Sequence, residues 1–84
     1  MITLTQFRQL SLLRRAYATW NYATFLACMD GGRAGRSLYF HNGFYVELIY
    51  DFRGNRVLGV IPFCGDGHLE EWLEQVNITQ LLGS

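Results

Sequence analysis

The sequence predicts an α+β fold: a four-stranded antiparallel meander with an N-terminal and a C-terminal helix on one face (α-β-β-β-β-α). Three observations carry this. Apolar residues recur at helical spacing near both ends of the chain. The middle is aromatic and β-branched and is punctuated by two glycine turns. The 84 residues are 50% hydrophobic and 17% charged, a composition for one globular domain spanning residues 1–84.

Residues 3–18 read as helix. Thr3 and Gln6 fit a capping box, and Phe7, Leu10, Leu13 and Tyr17 form its apolar stripe. Ser11 is a second candidate N-cap, so a break near Leu10 is an open alternative. Residues 20–29 read as a strand, without an alternation that identifies its buried face. The glycine-rich stretch 30–35 reads as a loop.

Residues 36–63 read as two hairpins. A two-residue Asn42-Gly43 turn would pair His41 with Phe44. A three-residue loop with a bulge at Gly43 would pair Phe40 with Phe44 and collect Leu38, Phe40, Phe44, Val46 and Leu48 on one face. A one-residue slip inverts every side chain, so burial against a single core selects the three-residue loop. Around Arg53-Gly54, Asp51 faces Arg56 and Tyr50 faces Val57. Continuing the ladder sets Leu48 against Gly59, Val46 against Ile61 and Phe44 against Phe63.

Residues 67–77 read as the last helix, with Asp66 as N-cap and Leu69, Trp72, Leu73 and Val76 as its apolar stripe. Residues 77–84 read as a loose tail.

Every basic side chain is Arg, and the charge is split along the chain. Residues 1–36 carry +4 and residues 37–84 carry −4, which cancel. With both helices on one face, Arg8, Arg14 and Arg15 would lie beside Glu70, Glu71 and Glu74. Zero net charge and an acidic last helix argue against nucleic acid as a partner. No apolar run approaches the roughly 18 residues of a membrane span. The N-terminus lacks the pattern of a signal peptide, so the expected location is cytoplasmic, with Cys28 and Cys64 as reduced thiols.

The one compact polar cluster is Cys64, Asp66 and His68 at the last strand-to-helix junction. It is a candidate thiol or metal site, with at most three ligands and none of the usual metal-site spacings. The glycines of 30–35 match neither a P-loop nor a dinucleotide fingerprint, and no cofactor is expected. No catalytic set can be assembled from spacing.

The predicted register creates a surface instead. It puts Tyr39, Tyr45, Glu47, Ile49, Leu58, Val60 and Pro62 on the sheet face away from the helices, with Asp51 and Arg56 at the rim, and Tyr39, Tyr45, Ile49, Leu58 and Val60 as the contact. A solvated sheet face should be mostly polar there. A contiguous apolar patch with tyrosines marks an interface. The expected function is a non-enzymatic interaction domain, a homodimer joined through this outer face. The alternative is an accessory protein that uses the same face for another protein or a small ligand.

The motifs Leu4-x-x-Phe7-Arg8-x-Leu10-x-Leu12, Thr24-Phe25-Leu26-Ala27, Phe44-x-Val46-Glu47-Leu48-x-Tyr50-Asp51 and Leu69-Glu70-x-x-Leu73 resemble those of small uncharacterised bacterial α+β proteins. The resemblance implies a compact α+β domain in a bacterial cytoplasm. It carries no activity and no functional residue.

Overall fold

Thr3 opens the first helix as a capping box. Its hydroxyl accepts from Gln6 N at 3.2 Å, and the Gln6 side chain accepts from Thr3 N at 2.9 Å. Helix α1 (Leu4–Arg8) then stops, and Ser11 caps α2 (Leu12–Tyr22) by accepting from Arg14 N. Of the two readings of the N-terminal segment, the broken one holds. Arg15 fastens the break: its guanidinium donates to the carbonyls of Arg8, Leu10 and Val60, at 2.6, 3.1 and 3.2 Å. Carbonyls left over where α1 ends thus find donors, and α2 is tied to the sheet. This computed structural model describes residues 2–30, 34–64 and 67–75.

The sheet is the expected four-stranded antiparallel meander, in the order β1 (Thr24–Asp30), β2 (Ala34–His41), β3 (Phe44–Asp51), β4 (Arg56–Phe63). Helix α3 (Gly67–Gln75) follows. Trp20, Asn21 and Tyr22, expected at the head of the first strand, belong to α2. The expected cap Asp66 and the 77–84 tail lie outside the described residues.

The first hairpin overturns the expected register. His41 pairs with Phe44 across a two-residue turn in which Asn42 (φ 47°) and Gly43 (φ 88°) both adopt left-handed backbone. This is the geometry whose twist matches the flanking strands. Leu38 and Phe40 therefore face away from Phe44, Val46 and Leu48.

The second hairpin keeps Asp51 opposite Arg56 and Tyr50 opposite Val57, as expected. The ladder then slips by one at Leu58, so that Gly59 pairs with Ile49, Val60 with Leu48 and Pro62 with Val46. The slip moves Val60 and Pro62 onto the face opposite the one predicted.

The helices do not share a face. Phe7, Ala16 and Ala18 pack with Phe44, Val46, Leu48 and Val60 on one side. Trp72 packs with Ala27, Leu38 and Phe63 on the other. Residues 44, 46 and 48 alternate with 45, 47 and 49 along β3, so α1 and α2 cover one face and α3 covers its reverse. The fold is a three-layer sandwich, helix–sheet–helix. The exposed Glu70, Glu71 and Glu74 are consequently separated from Arg8 and Arg14 by the sheet instead of lying beside them. Of the described arginines in residues 1–36, Arg36 alone lies on the α3 face, where it pairs with Glu47.

Candidate interaction surface

The corrected register scatters the predicted interface. Tyr39 lies on the α1/α2 face, half-buried, and Val60 is only 2% exposed in the core of that face. Tyr45 and Ile49 lie on the α3 face, where Tyr45 stacks on Phe63 at 5.6 Å. Leu58, the extra residue at the slip, is 48% exposed. Asp51 and Arg56 remain cross-strand neighbours, and Asp51 accepts from Arg53 N at 3.1 Å. These side chains do not form one patch.

The face expected to be wet is covered by α3, and its centre is polar. Glu47 projects from β3 beneath α3 and is buried. Its Oε1 accepts from Arg36 Nη2 at 2.7 Å and from Trp72 Nε1 at 2.7 Å, and lies 2.9 Å from His68 Nε2. Oε2 accepts from Arg36 Nε at 3.1 Å. The Arg36 guanidinium also lies 5.5 Å over the Trp72 ring. Burial alone would push the Glu47 carboxyl up. The hydrogen bonds from Arg36, His68 and Trp72 outweigh it and hold the pKa below the usual carboxylate range. The same hydrogen bond to Glu47 raises Arg36 against the opposing effect of its own burial.

With both oxygens engaged and its pKa held down, the carboxylate clamps α3 to the sheet. Sequence reasoning placed Glu47 on this face of β3 but left it solvated. Its signal was an acid inside an apolar strand, with Arg36, Trp72 and His68 available to surround it.

The other polar candidate is not assembled. His68 directs Nε2 at Glu47, Cys64 is exposed, and Asp66 is outside the described residues. Among the described residues no group of three His, Cys, Asp or Glu could hold a metal ion. The N-terminal arginines do not gather either. Arg15 and Arg36 are engaged within the fold, and Arg33 is outside the described residues.

A different apolar surface appears at the β1 side of the α1/α2 face. Helix α2 turns Leu13, Tyr17 and Trp20 outward at i, i+4, i+7 spacing, all of them exposed. Trp20 is 54% exposed and Phe25 on β1 is 53% exposed. Tyr39 lies between them: it packs edge-on against Phe25 at 5.7 Å and is hydrogen-bonded to Trp20. Burial raises the Tyr39 hydroxyl pKa, and the Trp20 hydrogen bond partly offsets that shift. The result is a continuous aromatic shelf from α2 across Tyr39 to β1. It was missed because Trp20 was read as strand, which separated it from the Leu13/Tyr17 stripe.

On the same face, Ile2, Ala18, Tyr22, His41 and Asn42 line a cavity of about 560 Å³. His41 is 5% exposed and touches Phe7 and Phe44 edge-on or tilted, and its Nε2 is buried with no hydrogen-bond partner. Asn42 holds the neighbouring rim by donating from Nδ2 to the Ile2 carbonyl at 2.8 Å.

Comparison with protein-family models, curated proteins and solved structures finds no match. Among the described residues no helix is long and apolar enough to cross a membrane.

Proposed function

We propose that this chain is a non-enzymatic interaction module whose partner is a second copy of itself, docked through the shelf of Leu13, Tyr17, Trp20, Tyr39 and Phe25. The observation that supports it is the exposure of more than half of both Trp20 and Phe25, although each also contacts the half-buried Tyr39. Large aromatics clustered on a small domain mark interface cores more often than solvated surface. A second copy suits the shelf because Phe25, its outer end, lies on β1, an edge strand of the sheet. Burying the shelf also helps a chain of 84 residues, whose core is limited by its size. The reading places the protein in the cytoplasm, where its two exposed cysteines stay reduced.

Light scattering on the eluting peak of a sizing column, from micromolar to millimolar protein, tests this. The expected mass approaches twice 9.7 kDa as concentration rises. Tyr17→Asp and Phe25→Asp, both at exposed sites, should give folded monomers. A wild-type chain that stays monomeric throughout, or aspartate variants that dimerise as the wild type does, would overturn the proposal.

A further inference from the structure

Strand β1 is an open sheet edge, and the opposite edge is guarded. Among the described residues nothing pairs with the outer side of β1, which is first in the strand order. β1 carries no proline, its only charge is Asp30 at its end, and its one irregularity is at Leu26. What sets the β4 edge apart is Pro62, which offers no N–H, and the exposed Arg56; the irregularity at Leu58 has its counterpart at Leu26 in β1. One weakly protected edge and one edge blocked by proline favour a closed pair over an open stack of sheets.

We infer that two copies join β1 to β1 antiparallel into one continuous eight-stranded sheet, with Cys28 on the two-fold axis. This inference rests on the self-association reading above and specifies its geometry. The register follows from the faces. In an antiparallel pair, directly opposed side chains lie on the same face of the sheet. The extra residue Leu26 interrupts the alternation of β1. Phe25 therefore shares the α1/α2 face with Cys28, while Ala27 and Met29 share the α3 face. Pairing centred on Ala27 would set Phe25 against Met29, which lie on different faces. Pairing centred on Met29 would match positions 28 and 30 but engage only residues 28–30 of β1, whereas pairing centred on Cys28 engages residues 26–30 and sets Ala27 against Met29 on one face. The two-fold axis stands perpendicular to such a sheet, so the α1/α2 layers and the aromatic shelves of both copies fall on one side, flanking the seam.

The register makes a chemical prediction. Opposed antiparallel residues have Cα atoms about 4.5–5.5 Å apart, inside the range of about 4.4–6.8 Å that a disulfide spans. Cys28 is exposed and carries a free thiol. In a Cys64→Ser background it is the only thiol in the chain. Diamide, which takes up two electrons and two protons from a pair of thiols, should then convert the dimer to a covalent species on a non-reducing gel. The yield should track the dimer fraction measured by light scattering and vanish in denaturant. Cys28→Arg sets two like charges face to face and should weaken dimerisation at least tenfold, with an unchanged far-UV spectrum, while Cys28→Ser should dimerise normally. If the protein dimerises but resists cross-linking, or if Cys28→Arg dimerises as the wild type does, the edge pairing is wrong and the shelf alone makes the contact. A protein monomeric at every concentration overturns both readings.

Discussion

Trp72 on α3 donates its indole N–H to Glu47 Oε1 on β3 at 2.7 Å, and both residues are buried. An apolar layer is thereby pinned to the sheet through an ion, and Arg36 supplies the charge that makes this tolerable. Glu47→Gln keeps the shape but removes the charge and puts an amide NH₂ near the donors. Loss of one partner of a fully buried ion pair costs about 3–5 kcal/mol. Arg36 and His68 keep 32% of their side-chain exposure, so water screens what is left behind. The expected loss is about 2 kcal/mol, read from urea midpoints at neutral pH. An unchanged midpoint would show that Trp72 is held by packing alone.

The same clamp sets a pH dependence. The folded Glu47 pKa lies below its unfolded value, so unfolded chains bind the proton more readily. This contribution to stability is complete above the unfolded carboxylate range, near about 4.3, and disappears as pH falls through the folded pKa. Urea midpoints measured from pH 7 down to pH 3 should hold at first and decline at the acidic end. In Glu47→Gln the acidic decline should be shallower. Equal slopes in both proteins would remove Glu47 as its source.

The strands, the meander and the helix caps were legible because each rests on local chemistry. Thr3, Gln6, Ser11 and the Asp51–Arg56 hairpin needed no knowledge of what packs where. The faces were not legible, and the reason is physical. Burial selects a register only where one face is dry and the other wet. Here α1/α2 cover one face and α3 covers the other, so Phe40 and Leu38 could be buried on either. The turn decided instead, because Asn42-Gly43 readily takes the doubly left-handed conformation. The slip at Leu58 has no composition signal, yet it reassigns Val60 and Pro62. Glu47 was a clue to a second helix layer, beside the apolar Tyr45 and Ile49 on the same face, since a carboxylate amid Val46 and Leu48 needs donors from somewhere.

That account makes Gly43 the residue on which the register depends. Its φ of 88° is costly for any side chain, although no neighbour would obstruct a Cβ there. Gly43→Ala therefore reports backbone strain with no steric contribution. It should cost about 1 kcal/mol in urea unfolding. A cost near zero would mean that the hairpin has shifted to a longer loop.

His41 allows the opposite test, a substitution expected to stabilise. Its ring packs against Phe7 and Phe44, but Nε2 is buried without a partner, and an unsatisfied buried polar atom costs about 1–3 kcal/mol. His41→Phe keeps an aromatic ring in an aromatic site and removes that atom, and the adjoining cavity can accept the slightly larger ring. The variant should gain about 1 kcal/mol, seen as a higher urea midpoint with an unchanged slope. A lower midpoint would show that His41 has a polar partner in solution, and titrating its imidazole resonances by NMR would then identify the protonation state that partner selects.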